Sequence, residues 1–351
     1  MKRQSPGSRY FSGMRNLPIG GLLVLFWLPA VPSEALSDLA RDLAECSQVE
    51  DPGERLKCYD HLSGRESKGP APAEESVKKP PPEGVKRFSY FSRLWELEPE
   101  TRRGKYSISP HRSNYILPYT YNTSPNYAAV RAADPGKDLK YEEVLFQLSL
   151  KVKLWEDIFG QKADLWFGYT QRSFWQFYNF EDSSPFRETN YEPEVLLNFR
   201  TDYRLLGLRG RFINVGFNHQ SNGQSDPLSR SWNRIVANAG FERGDFSLLL
   251  KGWYRIPESA QKDDNPNIGK YLGYGEIWAY YFWEKQRFGF MLRNNLDFYA
   301  NRGAVQLEWS FPLIERVSGY LQFYNGYGES LLDYNHRVNR VGIGFILTDW
   351  N

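Results

Sequence analysis

From residue 88 onward the chain alternates between apolar and polar positions. Val144, Phe146, Leu148, Leu150, Val152 and Leu154 are apolar; Gln147, Ser149, Lys151 and Lys153 between them are polar, with Leu145 the one exception. Val305, Leu307, Trp309 and Phe311 alternate with Gln306, Glu308 and Ser310. Val341, Ile343, Phe345 and Leu347 alternate with Gly342, Gly344, Ile346 and Thr348, and Tyr191, Val195, Leu197 and Phe199 stand against Glu194, Asn198 and Arg200. Successive side chains of a strand point to opposite faces, so a period of two marks a strand with one apolar face. About twelve such segments follow one another, near 113–122, 142–155, 163–178, 191–206, 208–221, 229–242, 245–256, 270–284, 286–299, 302–312, 316–327 and 337–350. One face is almost wholly apolar or aromatic, while the other carries Lys, Arg, Glu and Asn. An even number of antiparallel strands closes into a ring with no free edge. The pattern therefore predicts an all-β fold, a twelve-stranded antiparallel transmembrane β-barrel over 88–351, ahead of a secreted β-sandwich. The chain end departs from barrel habit, since Trp350 is followed by Asn351.

The first 87 residues read differently. Residues 1–35 have the form of a signal peptide: Lys2, Arg3, Arg9 and Arg15, then an apolar Leu17–Val31 stretch broken by Pro29, then Ser33-Glu34-Ala35 for cleavage. Residues 36–64 predict a small helical segment. Leu36, Leu39, Leu43 and Cys46 form a stripe, Asp51-Pro52-Gly53 a turn, and Arg55–His61 a second short helix. Cys46 and Cys58 are the only cysteines; in an exported chain a Cys46–Cys58 disulfide would staple this hairpin. Residues 65–87, with Pro70, Pro72, Pro80, Pro81 and Pro82 among Lys, Glu and Ser, read as a disordered linker.

Composition narrows the picture. Mean hydropathy is −0.61 although 16% of residues are aromatic. A helical membrane protein would need several apolar runs of roughly 20 residues, and a disordered chain would lack the rings. Barrel strands satisfy both facts, with a polar interior and aromatic girdles. A net charge of +2 gives no electrostatic footprint for nucleic acid. Two Cys and four His make no recognisable zinc module.

Candidate chemistry lies in Phe217-Asn-His-Gln-Ser-Asn-Gly-Gln-Ser-Asp-Pro-Leu-Ser-Arg-Ser-Trp-Asn233. Ile213, Val215 and Phe217 form the apolar face of one strand, and His219 and Ser221 continue that parity. Ile235, Ala237, Ala239 and Phe241 form the apolar face of the next, and Asn233 shares it. If His219 faces Asn233, the turn falls at Asp226-Pro227, a turn signal. Ser221, His219 and Asn233 then sit together on the outer wall, where polar side chains are expensive. His219 would serve as general base to Ser221, Asn233 would orient the imidazole, and the Gly223 N–H would donate to an oxyanion. The same residues would also suit a solvated hairpin at the aqueous rim.

Asn218-His-Gln-Ser-Asn-Gly223, Ser225-Asp-Pro227 and Ser229-Arg-Ser-Trp-Asn-Arg234 resemble the active-site hairpin of bacterial outer-membrane phospholipase A. So do Tyr169-Thr-Gln-Arg-Ser173, Ser183-Ser-Pro-Phe-Arg-Glu-Thr-Asn-Tyr-Glu-Pro193, Asp263-Asp-Asn-Pro266 and Gly326-Tyr-Gly-Glu-Ser330. The likeness runs in order over roughly 88–351; Gln220 and Gln224 depart from it. It implies a calcium-dependent enzyme of the bacterial outer membrane that hydrolyses acyl esters of glycerophospholipids and lysophospholipids. Ser221 is the implied nucleophile, His219 the base and Asn233 the orienting residue. The Gln224 carbonyl and Ser229 hydroxyl are the implied ligands of a catalytic Ca2+, with Ser183 reaching in from a partner chain; Asp226 and Asp264 match a second calcium position. All are hard oxygen donors. The resemblance also implies an active homodimer. Gln171 shares the outward parity of Leu165, Phe167 and Tyr169 and fits an amide paired with its symmetry mate. Leu148, Leu150 and Leu347 face outward and would line an acyl-chain groove or serve as plain lipid contact.

Two other readings stand beside this one. The first is a non-enzymatic barrel, porin-like or structural, that retains the hairpin. The second is a periplasmic partner for residues 36–64.

Overall fold

A computed structural model of the chain describes residues 41–63 and 88–347. The chain divides into two units, Met1–Gly84 and Val85–Asn351. The signal-peptide reading, Leu36 and Leu39 of the stripe, the linker and Trp350 lie outside the described residues.

In the first unit a helix covers 41–47 (α1) and a second covers Pro52–Leu62 (α2). The second helix starts earlier than the sequence pattern suggests. Asp51 caps it, accepting from the Glu54 N–H, and Pro52 occupies the first turn, where its missing N–H costs nothing. The Asp-Pro-Gly turn is thus a helix start. The Cys46–Cys58 disulfide is present, with Cα atoms 5.6 Å apart.

The second unit is a closed antiparallel barrel. A short β1 (Ile108–Pro110) precedes β2 (Tyr115–Asn122), β3 (Glu142–Asp157), β4 (Ala163–Trp175), β5 (Phe186–Leu205), β6 (Leu208–Ser221) and β7 (Ser231–Arg243). Then come β8 (Phe246–Arg255), β9 (Gly275–Trp283), β10 (Gln286–Asn294), β11 (Gly303–Ile314), β12 (Val317–Tyr327) and β13 (Arg337–Leu347). Strands β2 to β13 pair in sequence order and β13 pairs with β2, which closes the ring of twelve; β1 attaches to β3. Turns at one end are short, such as Leu206-Gly207 and Gly244-Asp245. Six longer loops cluster at the other end, including 222–230 and 256–274.

Several strand ends differ from the sequence pattern, each for a local reason. Residues 268–272 form a helix that buries Ile268 and Leu272, so β9 starts at Gly275. Leu296 to Tyr299 leave the sheet because Asp297 accepts from the Tyr299 and Ala300 N–H groups. Those same bonds hold the Asp297 carboxyl below the usual range.

The outer wall is apolar, with Val215, Phe217, Ile235, Val341 and Ile343 exposed. Aromatic residues collect toward both ends: Trp155, Tyr203 and Trp283 near the short turns, Tyr254 and Tyr274 near the loops. The interior is charged but paired. Lys153 meets Glu96 at 2.6 Å, Arg200 meets Asp164 at 2.6 Å, and Arg287 meets Glu308 at 2.8 Å. Buried ions need such partners to persist.

The alternation pattern assigns no element to residues 88–112, and the first part of this stretch packs inside the barrel, while Ile108–Pro110 join the wall as β1. Helix α3 (Tyr90–Trp95) buries Phe91 and Trp95 against Trp166, Leu196 and Phe212. The Phe91 N–H donates to Glu242 at 2.8 Å. Apolar side chains at Tyr90, Phe91, Leu94 and Trp95 give one helix face, which explains why the segment packs inside.

Candidate active site

Strands β6 and β7 place the candidate residues. Asn218 pairs with Arg234 and His219 with Asn233, the register that parity predicts. Asn218 and Arg234 point inward and are buried, whereas His219, Ser221 and Asn233 point outward and are half-buried. His219 Nδ1 lies 2.9 Å from Asn233 Oδ1. Ser221 sits two residues further on the same face, at the loop end. Among the described residues its hydroxyl makes no hydrogen bond to the ring, a common state before substrate tightens a catalytic pair.

The hairpin is held from inside. Arg234 donates to Asn218 Oδ1 at 2.6 Å and to Glu192 of β5 at 3.0 Å, and Asn218 donates to Glu192 at 2.8 Å. Glu192 also receives Arg112 at 2.8 and 2.9 Å. Three strands are thereby locked in register behind the histidine.

The loop 222–230 is organised by Asn222, which pattern reasoning missed. Its side chain accepts from the Gln224 and Arg230 N–H groups and donates to the Leu228 carbonyl at 2.8 Å. Gly223 follows with φ of +65°, a left-handed conformation that favours glycine. Its N–H meets no acceptor among the described residues and lies two residues beyond Ser221, the candidate nucleophile.

The candidate calcium residues are only partly assembled. Ser229 Oγ donates to Asp264 Oδ2 at 2.7 Å, and the Ser231 N–H donates to Asp264 Oδ1 at 3.0 Å. Gln224 and Asp226 are exposed in the same loop as Ser229. Ser183 stands in the β4–β5 loop with φ of +59°. Among the described residues no three His, Cys, Asp or Glu side chains gather at metal-binding spacing. The candidate set includes only two such residues, Asp226 and Asp264; its hydroxyl, carbonyl and carboxylate oxygens fit a hard divalent cation. Asp263, beside Asp264, instead pairs with Arg255 at 2.6 Å.

Gln171 faces outward on β4. Tyr169 donates to its Oε1 at 3.1 Å, and its Nε2 donates to Ser173 at 3.2 Å. One amide hydrogen and one oxygen lone pair remain unused. Strand register then aligns the outer-wall residues: Leu148 opposes Gln171, Gln171 opposes Tyr191, and Tyr191 opposes Ser221. The acyl-groove, dimer and nucleophile candidates therefore share one row, with Gln171 two strand spacings, roughly 10 Å, from Ser221. Leu148 and Leu347 are exposed and Leu150 is half-buried.

A closed barrel with an apolar wall and a candidate acyl-transfer constellation on that wall points to a class, the integral membrane lipid hydrolases. Residues 91–347 match the family model described as Phospholipase A1. Phospholipase A1 of Escherichia coli K12 is 41% identical over 251 residues, covering 70% of this chain and 82% of its own. A relative from Neisseria meningitidis serogroup B is 36% identical and covers 87% of this chain and 90% of its own. Among solved structures, outer membrane phospholipase A from E. coli superposes with a TM-score of 0.68 at 39% identity, covering 75% of this chain and 98% of that one. The Salmonella typhi outer membrane phospholipase, a dimer with bound calcium, gives 0.67 at 39% identity, covering 74% and 98%. The chain belongs to the phospholipase A1 family: it is a phospholipase and an outer-membrane β-barrel. Family membership sets aside the non-enzymatic barrel.

Proposed function

We propose that this phospholipase hydrolyses acyl esters of glycerophospholipids and lysophospholipids through Ser221, His219 and Asn233, with calcium, as a homodimer. The observation that carries the reading is the 2.9 Å contact from His219 Nδ1 to Asn233 Oδ1 on a lipid-facing wall. With Nδ1–H donated to Asn233, the lone pair of Nε2 is available to Ser221. Ser221 Oγ attacks the acyl carbonyl carbon as His219 takes its proton. His219 returns that proton to the departing glycerol oxygen. A water molecule, deprotonated by His219, then attacks the acyl-enzyme; the bond to Ser221 Oγ breaks, His219 returns the proton to Ser221 Oγ, and fatty acid is released. The Gly223 N–H would donate to the developing oxyanion.

The Gln224 carbonyl and Ser229 hydroxyl would hold the catalytic calcium, with Ser183 of a partner subunit, and Asp226 with Asp264 would form a second position. A bound cation there supplies Lewis-acid stabilisation of negative charge. Support comes from the donor chemistry and from the calcium-bound dimer of the Salmonella relative. Gln171 would pair with its symmetry mate, and Leu148, Leu150 and Leu347 would line the acyl groove.

The test is fatty-acid release from phospholipid by purified protein in detergent with calcium. S221A is expected to lower the rate by about 10³-fold or more, and full activity in S221A sinks the triad.

A further inference from the structure

Glu258, in the loop after β8, makes a contact that the sequence pattern did not suggest. The Ile256 N–H donates to the Asn233 carbonyl at 2.8 Å, which keeps the start of this loop alongside β7. Two residues later, Glu258 Oε1 accepts from Asn233 Nδ2 at 3.0 Å. The two ends of the Asn233 amide thus have separate partners, with Oδ1 on His219 and Nδ2 on Glu258. Among the described residues Glu258 has no Lys or Arg partner, so its carboxylate is devoted to this amide.

The two ends of a carboxamide are nearly equal in size, so packing alone does not choose which one meets the imidazole. The two orientations have opposite chemical consequences. Oδ1 against the ring requires a proton on Nδ1 and leaves the Nε2 lone pair open toward the nucleophile. Nδ2 against the ring requires Nδ1 to accept, which puts the proton on Nε2 and blocks the base. A carboxylate only accepts, so Glu258 must take the NH2 end. It also places a negative charge two hydrogen bonds away, across the Asn233 amide, from an imidazole that becomes cationic during attack.

We propose that Glu258 is a positioning residue for the hydrolysis: by holding the Asn233 amide it sets the productive tautomer of His219. The inference rests on the Ser221–His219–Asn233 reading above.

The experiment uses the full-length protein in detergent with calcium. E258A is expected to lower kcat roughly ten- to a hundredfold, as loss of such a supporting partner typically does, with KM changed less than about twofold. E258Q, whose carbonyl still accepts, should recover most of kcat. In an N233A background the E258A substitution should add no further loss. A second readout does not depend on turnover: 15N spectra of the His219 ring should show protonated Nδ1 in the wild type and a mixture of tautomers in E258A. Full kcat in E258A, no recovery in E258Q, an equal loss on top of N233A, or an unchanged His219 spectrum would each overturn the proposal. Full activity in S221A would fail the triad itself; an inactive S221A beside a fully active E258A fails only the role of Glu258.

Discussion

His219, Ser221 and Asn233 stand on a wall whose other outward residues, Val215, Phe217 and Ile235, are exposed apolar side chains. That break in parity made the outward placement of this cluster legible in the sequence, because alternation predicts the face of every strand residue. Asn222 and Glu258 were not legible. Each acts through a loop conformation, and no periodicity reports which loop atom meets which strand atom. Gly223 lies between these cases, since its spacing from Ser221 is visible while its φ of +65° is a product of the folded loop. A Cβ there would stand 3.2 Å from the Tyr191 ring as well as forcing a side chain into the left-handed region. G223A is expected to lower kcat by up to about 10²-fold with little change in KM, through displacement of the oxyanion donor. Steady-state kinetics on lysophospholipid would check it, and unchanged kcat would remove Gly223 from the site.

At the scale of elements, the β6–β7 hairpin is positioned by its inner face. Glu192, Asn218 and Arg234 join β5, β6 and β7 directly behind His219 and Asn233. Removing one member of a buried charged set leaves the others without compensation. R234M is therefore expected to cost about 3–5 kcal/mol of stability, read as a lower urea midpoint for the purified barrel. A midpoint equal to wild type would show that the hairpin is held by its backbone ladder alone. Helix α3 shows the limit of strand-pattern reading at this scale. Its apolar positions at 90, 91, 94 and 95 are too few to dominate a chain of alternating strands. Only the closed barrel, which leaves an interior to be filled by Phe91 and Trp95, explains them.

At the scale of the whole molecule, the register of β3 to β6 sets Leu148, Gln171, Tyr191 and Ser221 side by side on one row of the outer wall. A second copy docked through Gln171 would cover this row and shelter an acyl chain running from Ser221 toward Leu148. Q171A is expected to reduce the crosslinked dimer in detergent and to reduce calcium-dependent turnover in parallel. Chelation of calcium should abolish turnover of the wild type while leaving heat-stable barrel migration on gels intact. A Q171A protein that crosslinks fully would dissociate Gln171 from assembly, and activity in excess chelator would dissociate calcium from the chemistry.

The amino-acid order by itself determined the barrel, the facing of its strands and the outward cluster of Ser221, His219 and Asn233. Each follows from a period of two and from the cost of polar groups against lipid. Tertiary structure decided what alternation does not encode. It folded helix α3 into the lumen and turned residues 270–272, expected as the start of a strand, into the end of a helix that buries Ile268 and Leu272. It also bonded Ser229 to Asp264 and brought Glu258 to the amide of Asn233. These contacts join positions far apart along the chain or held in loops, and only the packing of neighbouring strands and loops brings them together.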